Sequence, residues 1–198
     1  MVKIYSGDLD NASAYKLLTG VVVPRPIAWI STQSRAGISN IAPFSCFTFV
    51  SSDPPMIGFN CGLRNGVRKD TARNIVETGE FVVNIVDDAL LQQVHQSAAD
   101  YSAEISELDV LGMACAPSET IAVPRVLASP VNLECTLERI VPFGRAGAEF
   151  IVGEIRVFHV REGLMVDGKI ETAALRPLGR LGGPLYGKLG EVVRVEPV

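Results

Sequence analysis

Two neighbouring segments with the composition of β-strands constrain this chain more than any other feature. Residues 27–32 are mostly apolar, residues 40–45 include several small side chains, and Gly37 lies in the short connection between them. Glycine adopts positive φ at little cost, which suits a tight turn between antiparallel strands. Because Ala42, Pro43 and Ser45 are small, the second strand can lay a flat backbone edge beside a planar ligand. The sequence therefore predicts a ligand-binding hairpin.

Most of the remaining regular structure is also predicted to be strand. We expect strands at residues 21–23, 45–50, 56–61, 81–85, 131–140 and 148–160. We expect helices at residues 11–18, capped by Asn11 or Ser13 and ended by Gly20, at 69–77, closed by Gly79, and at 87–98, capped by Asp87 or Asp88. Residues 99–124 read as irregular, with a weak helical patch at 104–108. Many strands with few peripheral helices predict a β-barrel with Greek-key links, although the pattern alone does not separate a barrel from a sandwich.

Composition places the chain among single-domain globular proteins. It has 198 residues, a net charge of −4 and 47% hydrophobic residues, and its mean hydropathy is +0.26. The acidic balance argues against nucleic-acid binding, which usually needs a basic face. The apolar runs are interrupted by Arg25, Asn60 and Asn84, so we expect no membrane association. The N-terminus lacks a secretory signal, so we expect a cytoplasmic location. The apolar content favours a buried subunit interface.

The motifs of several reaction classes are missing from the sequence. The four cysteines form no Cys-x-x-Cys pair, and His95 and His159 stand apart, so we expect buried thiols and no metal site. There is no Rossmann fingerprint, no phosphate loop of the usual spacing and no nucleophile elbow. The sequence therefore argues against acyl-transfer chemistry.

The sequence Lys69-Asp70-Thr71, with Asn74 one turn later, opens a predicted helix. A lysine, a hydroxyl and the free N–H groups of a helix start make a favourable seat for a phosphate group. Asp70 suits this role less well and is expected to cap the helix or to hold a neighbouring side chain. The alternative is an ordinary solvated helix cap, and the residues themselves leave both interpretations open.

Three other features admit both a functional and a structural interpretation. Arg25 lies between two prolines that fix the backbone, so it either points at a ligand or is a surface arginine at a strand end. Trp29 either packs in the core, which its apolar strand favours, or stacks near a ligand. The glycine-rich segment that contains Arg180 and Tyr186 is either a loose tail or a close backbone approach to a ligand.

Taken together, these motifs resemble the flavin reductase-like, FMN-binding split-barrel family. The resemblance is carried by the Pro-Arg-Pro segment at 24–32, the Asn-x-Ala-Pro-Phe-Ser segment at 40–45, the Lys-Asp-Thr-x-x-Asn segment at 69–74 and the Arg-x-Gly-Gly-x-x-Tyr element at 180–186. It extends from about residue 15 to residue 186. It implies a mainly β fold, an FMN-binding split β-barrel with Greek-key links and a few peripheral helices. It also implies one domain over residues 1–198, with a glycine-rich C-terminal segment at about 178–198, and a homodimer with two flavin sites.

The resemblance further implies which residues bind FMN. Lys69, Thr71 and Arg25 would hold the phosphate, and the backbone of residues 40–45 would meet the ring edge. The C-terminal segment would fold over the flavin edge of its own or the partner subunit. The implied cofactor-binding residues are Arg25, Pro26, Ala28, Ser31, Thr32, Asn40, Ala42, Pro43, Phe44, Ser45, Lys69, Thr71, Asn74, Arg180 and Tyr186. No catalytic side chain is implied, because the flavin carries the redox chemistry.

The implied function is that of an NAD(P)H-dependent flavin reductase. Such a protein passes electrons from NAD(P)H through FMN to free flavin or another acceptor, and a partner monooxygenase is one such acceptor. One alternative is a flavoredoxin-like electron carrier or flavin-binding module without NAD(P)H activity. Another is a split barrel that has lost its flavin and serves as a dimeric interaction protein. Residues 99–126 match nothing in the family pattern, and we expect substrate choice to depend on them.

Overall fold

The computed structural model describes residues 1–196. Pro197 and Val198, which end both the predicted domain and the predicted C-terminal segment, lie outside the described residues. The α-helices are α1 (Asn11–Val21), α2 (Asp70–Thr78), α3 (Leu91–Gln96), α4 (Glu107–Val110) and α5 (Thr172–Leu175), with 3-10 helices at Ser6–Asp8 and Asp88–Leu90. The strands are β1 (Arg25–Pro26), β2 (Ala28–Gln33), β3 (Ser39–Phe44), β4 (Phe47–Ser52), β5 (Pro55–Cys61), β6 (Glu80–Ile85), β7 (Cys115–Ala116), β8 (Arg125–Val126), β9 (Val131–Phe143), β10 (Ala148–Val160), β11 (Met165–Val166), β12 (Lys169–Ile170), β13 (Gly179–Arg180) and β14 (Tyr186–Gly187).

Seven antiparallel strands form the main sheet, in the order β3-β2-β6-β9-β10-β5-β4. Its two edge strands, β3 and β4, are separated in the chain only by Ser45 and Cys46. A sheet whose opposite edges are two residues apart must curl round until those edges meet, which makes it a barrel with a seam between β3 and β4. After β5 the chain passes through α2 and returns beside β2, which is a Greek-key link. The mainly β prediction is confirmed, and the barrel alternative is the correct one.

The barrel interior is a single apolar cluster built from inward-facing positions of the strands. Phe44, Phe59 and Phe81 pack ring against ring, with centroids 4.9 and 5.7 Å apart. Helix α2 adds Ala72 and Ile75 to the same cluster. Its C-terminus is closed as predicted, because Gly79 has φ 75° and its N–H donates to Ile75 O. Burial of one face of α2 therefore fixes where its N-terminus lies on the barrel.

A second apolar cluster covers the outer face of β2. It contains Trp29, Ile41, Val94 and Leu108, which brings α3 and α4 against the barrel. Trp29 is fully buried, and its Nε1 donates to Ser97 Oγ at 2.8 Å. The core interpretation of Trp29 is therefore correct, and its ring is not available for stacking on a ligand.

Strand β10 has the bounds that the sequence predicts, and β9 runs three residues further than predicted. The alternation along β9 is also correct on its apolar side, since Val131, Leu133 and Cys135 face the barrel core. The polar side is buried as well, at Asn132 and Glu134. Residues 117–126 cover that side and hydrogen-bond both polar groups, so an alternating pattern does not mark a solvated face here.

The prediction for the first helix is partly wrong. Asp10, and not Asn11 or Ser13, caps α1, since its carboxylate accepts from Ser13 N at 2.7 Å. Gly20 does not end the helix, which continues to Val21, and the predicted strand at 21–23 does not form. The carbonyls at the C-terminal end of α1 are instead satisfied from outside the helix by Arg25, a tertiary contact that a local glycine signal does not reveal.

Three other segments are more regular or shorter than predicted. The region 99–124 contains α4, slightly later than the expected patch, and β7 pairs with β8. The predicted helix at 87–98 is divided into the 3-10 turn and α3, and its predicted cap Asp87 is confirmed, because its carboxylate accepts from Ala89 N. The glycine-rich C-terminal segment forms a small sheet in the order β1-β13-β14. It is therefore an ordered part of the fold at these strands.

The cysteines, the helix lengths and the possible metal ligands can be described for residues 1–196. All four cysteines are free thiols; Cys61 and Cys135 are buried as expected, but Cys46 and Cys115 are exposed. Burial raises the pKa of the Cys61 thiol to about 11, which makes it a poor nucleophile. In residues 1–196, no helix has the length and apolarity needed to cross a membrane. Within the same residues, no three potential metal-binding side chains come together.

Replacement of Gly153 by alanine tests the packing of the barrel. A Cβ at Gly153 would lie 2.7 Å from Cε1 of the buried Phe81 ring and 3.2 Å from Thr136 O. We expect Gly153→Ala to lower the free energy of unfolding by about 1–3 kcal/mol, the cost of overpacking a core. Gly62→Ala is the matched control, since nothing lies within 4 Å of its added methyl group. Urea unfolding that gives equal stabilities for the two variants would contradict this packing.

Candidate functional site

Two adjoining cavities lie beside the seam of the barrel. The larger, of about 300 Å³, is bounded by α1, the end of β3 and the C-terminal segment. The smaller, of about 130 Å³, lies at the N-terminus of α2. Pro43 and Ala98 line both cavities, so together they form one elongated depression, which we call the cleft.

Ten of the fifteen predicted site residues line the cleft. Those in the larger cavity are Arg25, Pro43, Ser45, Arg180 and Tyr186. Those in the smaller cavity are Asn40, Ala42, Pro43, Phe44, Lys69 and Thr71. The structure therefore brings the four sequence motifs together, and Arg25 lies in the cavity that does not contain Lys69.

The other five predicted residues line neither cavity. Pro26 is exposed on β1, and Ala28 is part of the barrel core. Ser31 faces the opposite side, where its hydroxyl donates to Pro124 O at 2.8 Å. Thr32 and Asn74 are buried beneath the smaller cavity and bond to each other at 3.1 Å. Successive residues of a strand point to opposite faces, so on β2 Ala28 faces the barrel core and Ser31 faces the outer side.

Two cationic side chains and the N-terminus of α2 line the smaller cavity, together with the carboxylates of Asp70 and Glu107. Lys69 is the N-cap residue of α2, and among the described residues no side chain caps this helix. Arg64 also lines the cavity and forms an ion pair with the exposed Asp100 at 2.6 Å. Asp70 pairs with Arg73 at 2.5 Å, as its expected role of holding a neighbouring side chain requires. The arrangement suits an anion, because cationic side chains and a helix N-terminus face the same space.

A buried polar network supports the floor of the smaller cavity. Thr71 Oγ1 donates to Asn40 Oδ1 at 3.0 Å, and Asn40 Nδ2 donates to Glu107 Oε1 at 2.7 Å. Glu107 also accepts from Ile41 N at 3.1 Å. The hydroxyl proton of Thr71 is therefore used inside the protein, and what Thr71 can offer a ligand in this arrangement is its backbone N–H.

Glu107 is a site residue that the sequence does not reveal. It is 5% exposed, and burial raises the pKa of its carboxyl group above the usual value. Its two oxygens fasten α4 to β3, so a residue from the supposedly irregular region 99–124 holds the floor of the cleft. Tyr101 and Ala99 of the same region line the smaller cavity. A single glutamate between polar residues gives no local signal for such a role.

Arg25 is the most heavily bonded side chain of the larger cavity. Its NH1 donates to Thr19 O at 2.7 Å and to Val22 O at 2.6 Å, and its NH2 donates to Leu181 O at 3.0 Å. Its Nε donates to Ser45 Oγ at 3.3 Å. Within residues 1–196, four of its five N–H donors are thus committed, and the side chain is 6% exposed. Arg25 therefore ties α1, the barrel seam and the C-terminal segment into one wall.

The C-terminal segment brings an aromatic and a cationic side chain to the same cavity. The guanidinium carbon of Arg180 lies 4.4 Å from the ring centroid of Tyr186, a cation–π contact. Arg180 NH2 also donates to Gly183 O at 2.7 Å. His95 on α3 is exposed, with its Nδ1 3.4 Å from the Tyr186 hydroxyl. Asn84, as expected, satisfies backbone groups away from the cleft, at Trp29 O and Val126 N.

Comparison with known families gives these features a common origin. The family model for the flavin reductase like domain matches residues 20–174, which include the seam, α2 and the smaller cavity. The chain belongs to the flavin reductase-like family. The match ends before Arg180 and Tyr186, so the C-terminal wall of the cleft lies beyond the shared domain.

Solved structures agree with this assignment to the flavin reductase-like family. Component B of nitrilotriacetate monooxygenase from Bacillus cereus is 36% identical over 98% of each chain, with a TM-score of 0.95. The 2-nitrobenzoate 2-nitroreductase NbaA from Pseudomonas fluorescens is 34% identical over 100% of this chain and 96% of its own, with a TM-score of 0.91. A split-barrel protein from Shewanella frigidimarina, 22% identical over 97% and 96% of the two chains, has a TM-score of 0.84. The expected split barrel is therefore confirmed.

Replacement of Arg25 by lysine tests its role in the cleft wall. A lysine ammonium cannot reach hydrogen-bond acceptors in three segments at once as a guanidinium does. We expect Arg25→Lys to lower the free energy of unfolding by about 1–3 kcal/mol and to speed amide hydrogen exchange in residues 178–187. Arg35→Lys is the control, because Arg35 is exposed and makes a single long bond, to Glu77 O at 3.4 Å. Unchanged exchange in residues 178–187 of Arg25→Lys would show that Arg25 does not hold this segment.

Proposed function

We propose that this chain is a single-domain, cytoplasmic, NAD(P)H-dependent flavin reductase that holds FMN in the cleft. The observation that carries the proposal is the adjoining pair of cavities, one cationic and set at a helix N-terminus, the other wider and bounded by an aromatic ring. This shape matches a phosphorylated flavin, whose charged group and planar ring lie at opposite ends of one molecule. Membership of the flavin reductase-like family supports the same ligand.

The phosphate of FMN fits the smaller cavity. Lys69 and Arg64 would supply charge, and the first N–H groups of α2, including that of Thr71, would donate hydrogen bonds. Asn40 and Glu107 would not touch the phosphate by this account; they keep β3 in register beneath it. A riboflavin molecule, which lacks the phosphate, would leave these donors unpaired.

The isoalloxazine ring fits the larger cavity. Pro43 and Ser45 have small side chains and leave room for a ring beside the seam. Tyr186 and Arg180 line the opposite wall. A bound flavin would supply the two-electron chemistry with NAD(P)H as hydride donor, so the protein itself would need neither a nucleophile nor a base. The side chains orient the ring, and the C-terminal segment limits access to it.

The acceptor is a free flavin or another acceptor, either a small molecule or a partner protein. The relatives at 36% and 34% identity are a monooxygenase component and a nitroreductase. These names favour a reductase over a pure electron carrier, and they make a partner monooxygenase or an organic acceptor the best candidates here.

We further propose a homodimer, because apolar surface beside the cleft needs cover. Helix α1 places none of its residues in the interior of the described chain, and Leu18 and Val21 are 60% and 73% exposed. On the edge strand β4, Phe49 is 79% exposed. Tyr15 and Thr19 of α1 line the larger cavity, so a second copy seated here would lie beside the ring site.

Removal of the charge at Lys69 tests the proposed phosphate-binding site in the smaller cavity. We expect Lys69→Met to weaken FMN binding by about 1.5–3 kcal/mol, the contribution of a charge-assisted hydrogen bond, and to leave riboflavin binding unchanged. Flavin fluorescence titration measures both affinities. Lys169→Met is the control, since Lys169 lies on β12 and lines neither cavity. A variant that loses FMN and riboflavin affinity equally would contradict the proposed seat.

Turnover separates the reductase from the electron carrier. NADH or NADPH is supplied with the FMN-loaded protein, and the loss of absorbance of the reduced nicotinamide is followed with excess FMN or with 2-nitrobenzoate as acceptor. The proposal requires multiple turnovers with at least one donor. Retention of FMN without any oxidation of NADH or NADPH would favour the flavoredoxin-like carrier instead.

Light scattering tests the dimer. We expect the mass of two chains at micromolar concentration, and a shift toward one chain in the double variant Leu18→Asp with Val21→Asp, because two buried charges oppose an apolar interface. Val110→Asp is the control, since Val110 is 54% exposed on α4, outside the proposed interface. A monomer at this concentration would contradict the proposal.

A further inference from the structure

A third cavity, of about 460 Å³, opens where β9 begins and β10 ends. Within the described residues it shares no lining residue with the cleft. Its wall includes Arg125, Arg161, His159, Leu127 and Phe158. Nothing in the proposed flavin chemistry uses this cavity, so the flavin function does not explain why these residues line it.

The imidazole of His159 is held in place by a buried carboxylate. His159 Nε2 lies 2.6 Å from Glu134 Oε1, and Glu134 is fully buried. Burial would raise the pKa of Glu134, but hydrogen bonds from Glu119 N, His159 and Thr120 lower it to about 2. An ionised carboxylate only accepts, so Nε2 is the donor in this pair. Among residues 1–196, His159 Nδ1 has no hydrogen-bond partner, and a fixed imidazole therefore lines the cavity with one nitrogen free.

Two guanidinium groups add positive charge to the same wall. Arg125 is held through Nε, which donates to Pro117 O at 3.3 Å, and its two terminal nitrogens remain available. Arg161 NH1 lies 3.6 Å from Asp87 Oδ2, a long and partly exposed ion pair. The donors of the other two polar side chains in the lining are already used. Ser129 Oγ donates to Ile85 O, and Asn132 Nδ2 donates to Asn84 Oδ1 and Val126 O. The donors left to a ligand are thus cationic.

The same cavity has an apolar side. Leu127 is 55% exposed and Phe158 is 54% exposed, and both line it. A ligand that satisfied this wall would carry an anionic head for the guanidinium groups and a flat apolar body for Phe158 and Leu127. Phosphate and other small inorganic anions would use only half of the lining.

We propose that this cavity is a second binding site, for a small aromatic carboxylate, with Arg125 and Arg161 binding the carboxylate beside the oriented imidazole of His159. The proposal does not depend on the flavin function. The protein has two histidines, His95 and His159, so the imidazole signals of His159 are assigned by their retention in a His95→Gln variant.

Nuclear magnetic resonance of the full chain tests the site, with benzoate as the probe. We expect benzoate to shift the His159 imidazole signals saturably, and benzamide and acetate to bind at least about tenfold more weakly, because one lacks the charge and the other the ring. Arg125→Gln with Arg161→Gln should weaken benzoate binding at least tenfold. Arg139→Gln with Arg156→Gln is the matched control, since these exposed arginines lie on β9 and β10 and pair with Glu138 and Glu154.

Several outcomes would overturn the proposal. These are the absence of a saturable shift with benzoate, equal binding of benzamide, equal binding of acetate, and equal weakening by the control pair. The ligand-free His159 signals report whether each variant keeps its fold. If the double glutamine variant disturbs them, Arg125→Lys replaces it, and an unchanged benzoate affinity in that variant would overturn the role of the planar guanidinium of Arg125.

Discussion

The seam of the barrel is the constraint on which the cleft depends. Strands β3 and β4 occupy opposite edges of one sheet but are joined through Ser45 and Cys46 alone, so the sheet can only close on itself. This closure puts the small residues of β3 at the surface, where they form the floor of the cleft. Arg25 then fastens the seam at Ser45 and adds α1 and the C-terminal segment as a wall. The larger cavity exists because these three segments are held at fixed distances.

Cationic side chains line both the cleft and the third cavity, and a buried carboxylate lies beside each group. In the cleft, Lys69 and Arg64 stand at one end, and the one buried carboxylate that we identify there, Glu107, is turned to the backbone of β3 and to Asn40. In the third cavity, Glu134 plays a similar part, since it faces inward and leaves cationic groups toward the opening. Both carboxylates are polar anchors whose net effect is to fix neighbours, and a buried carboxylate is tolerated when its oxygens are hydrogen-bonded.

Sequence reasoning works here where structure is decided locally or by a strong pattern. The apolar alternation of β9 and the closure of α2 at Gly79 are examples, since both follow from residues close together in the chain. It fails where a distant group decides the outcome. Gly20 does not stop α1, because Arg25 satisfies carbonyls on both sides of it. Ser31 belongs to a motif that lines the cleft but points away from it, and Glu107 reaches the cleft from a segment with no recognisable pattern. Such contacts join residues far apart in the chain, and no window of sequence contains both partners.

A crystal structure of the chain with bound FMN tests the central claim most directly. The account predicts the phosphate within hydrogen-bond distance of Lys69 Nζ and Thr71 N, with the ring beside Pro43 and Ser45 and facing Tyr186. A phosphate bound at the Arg25 end of the cleft, or in the third cavity, would contradict it.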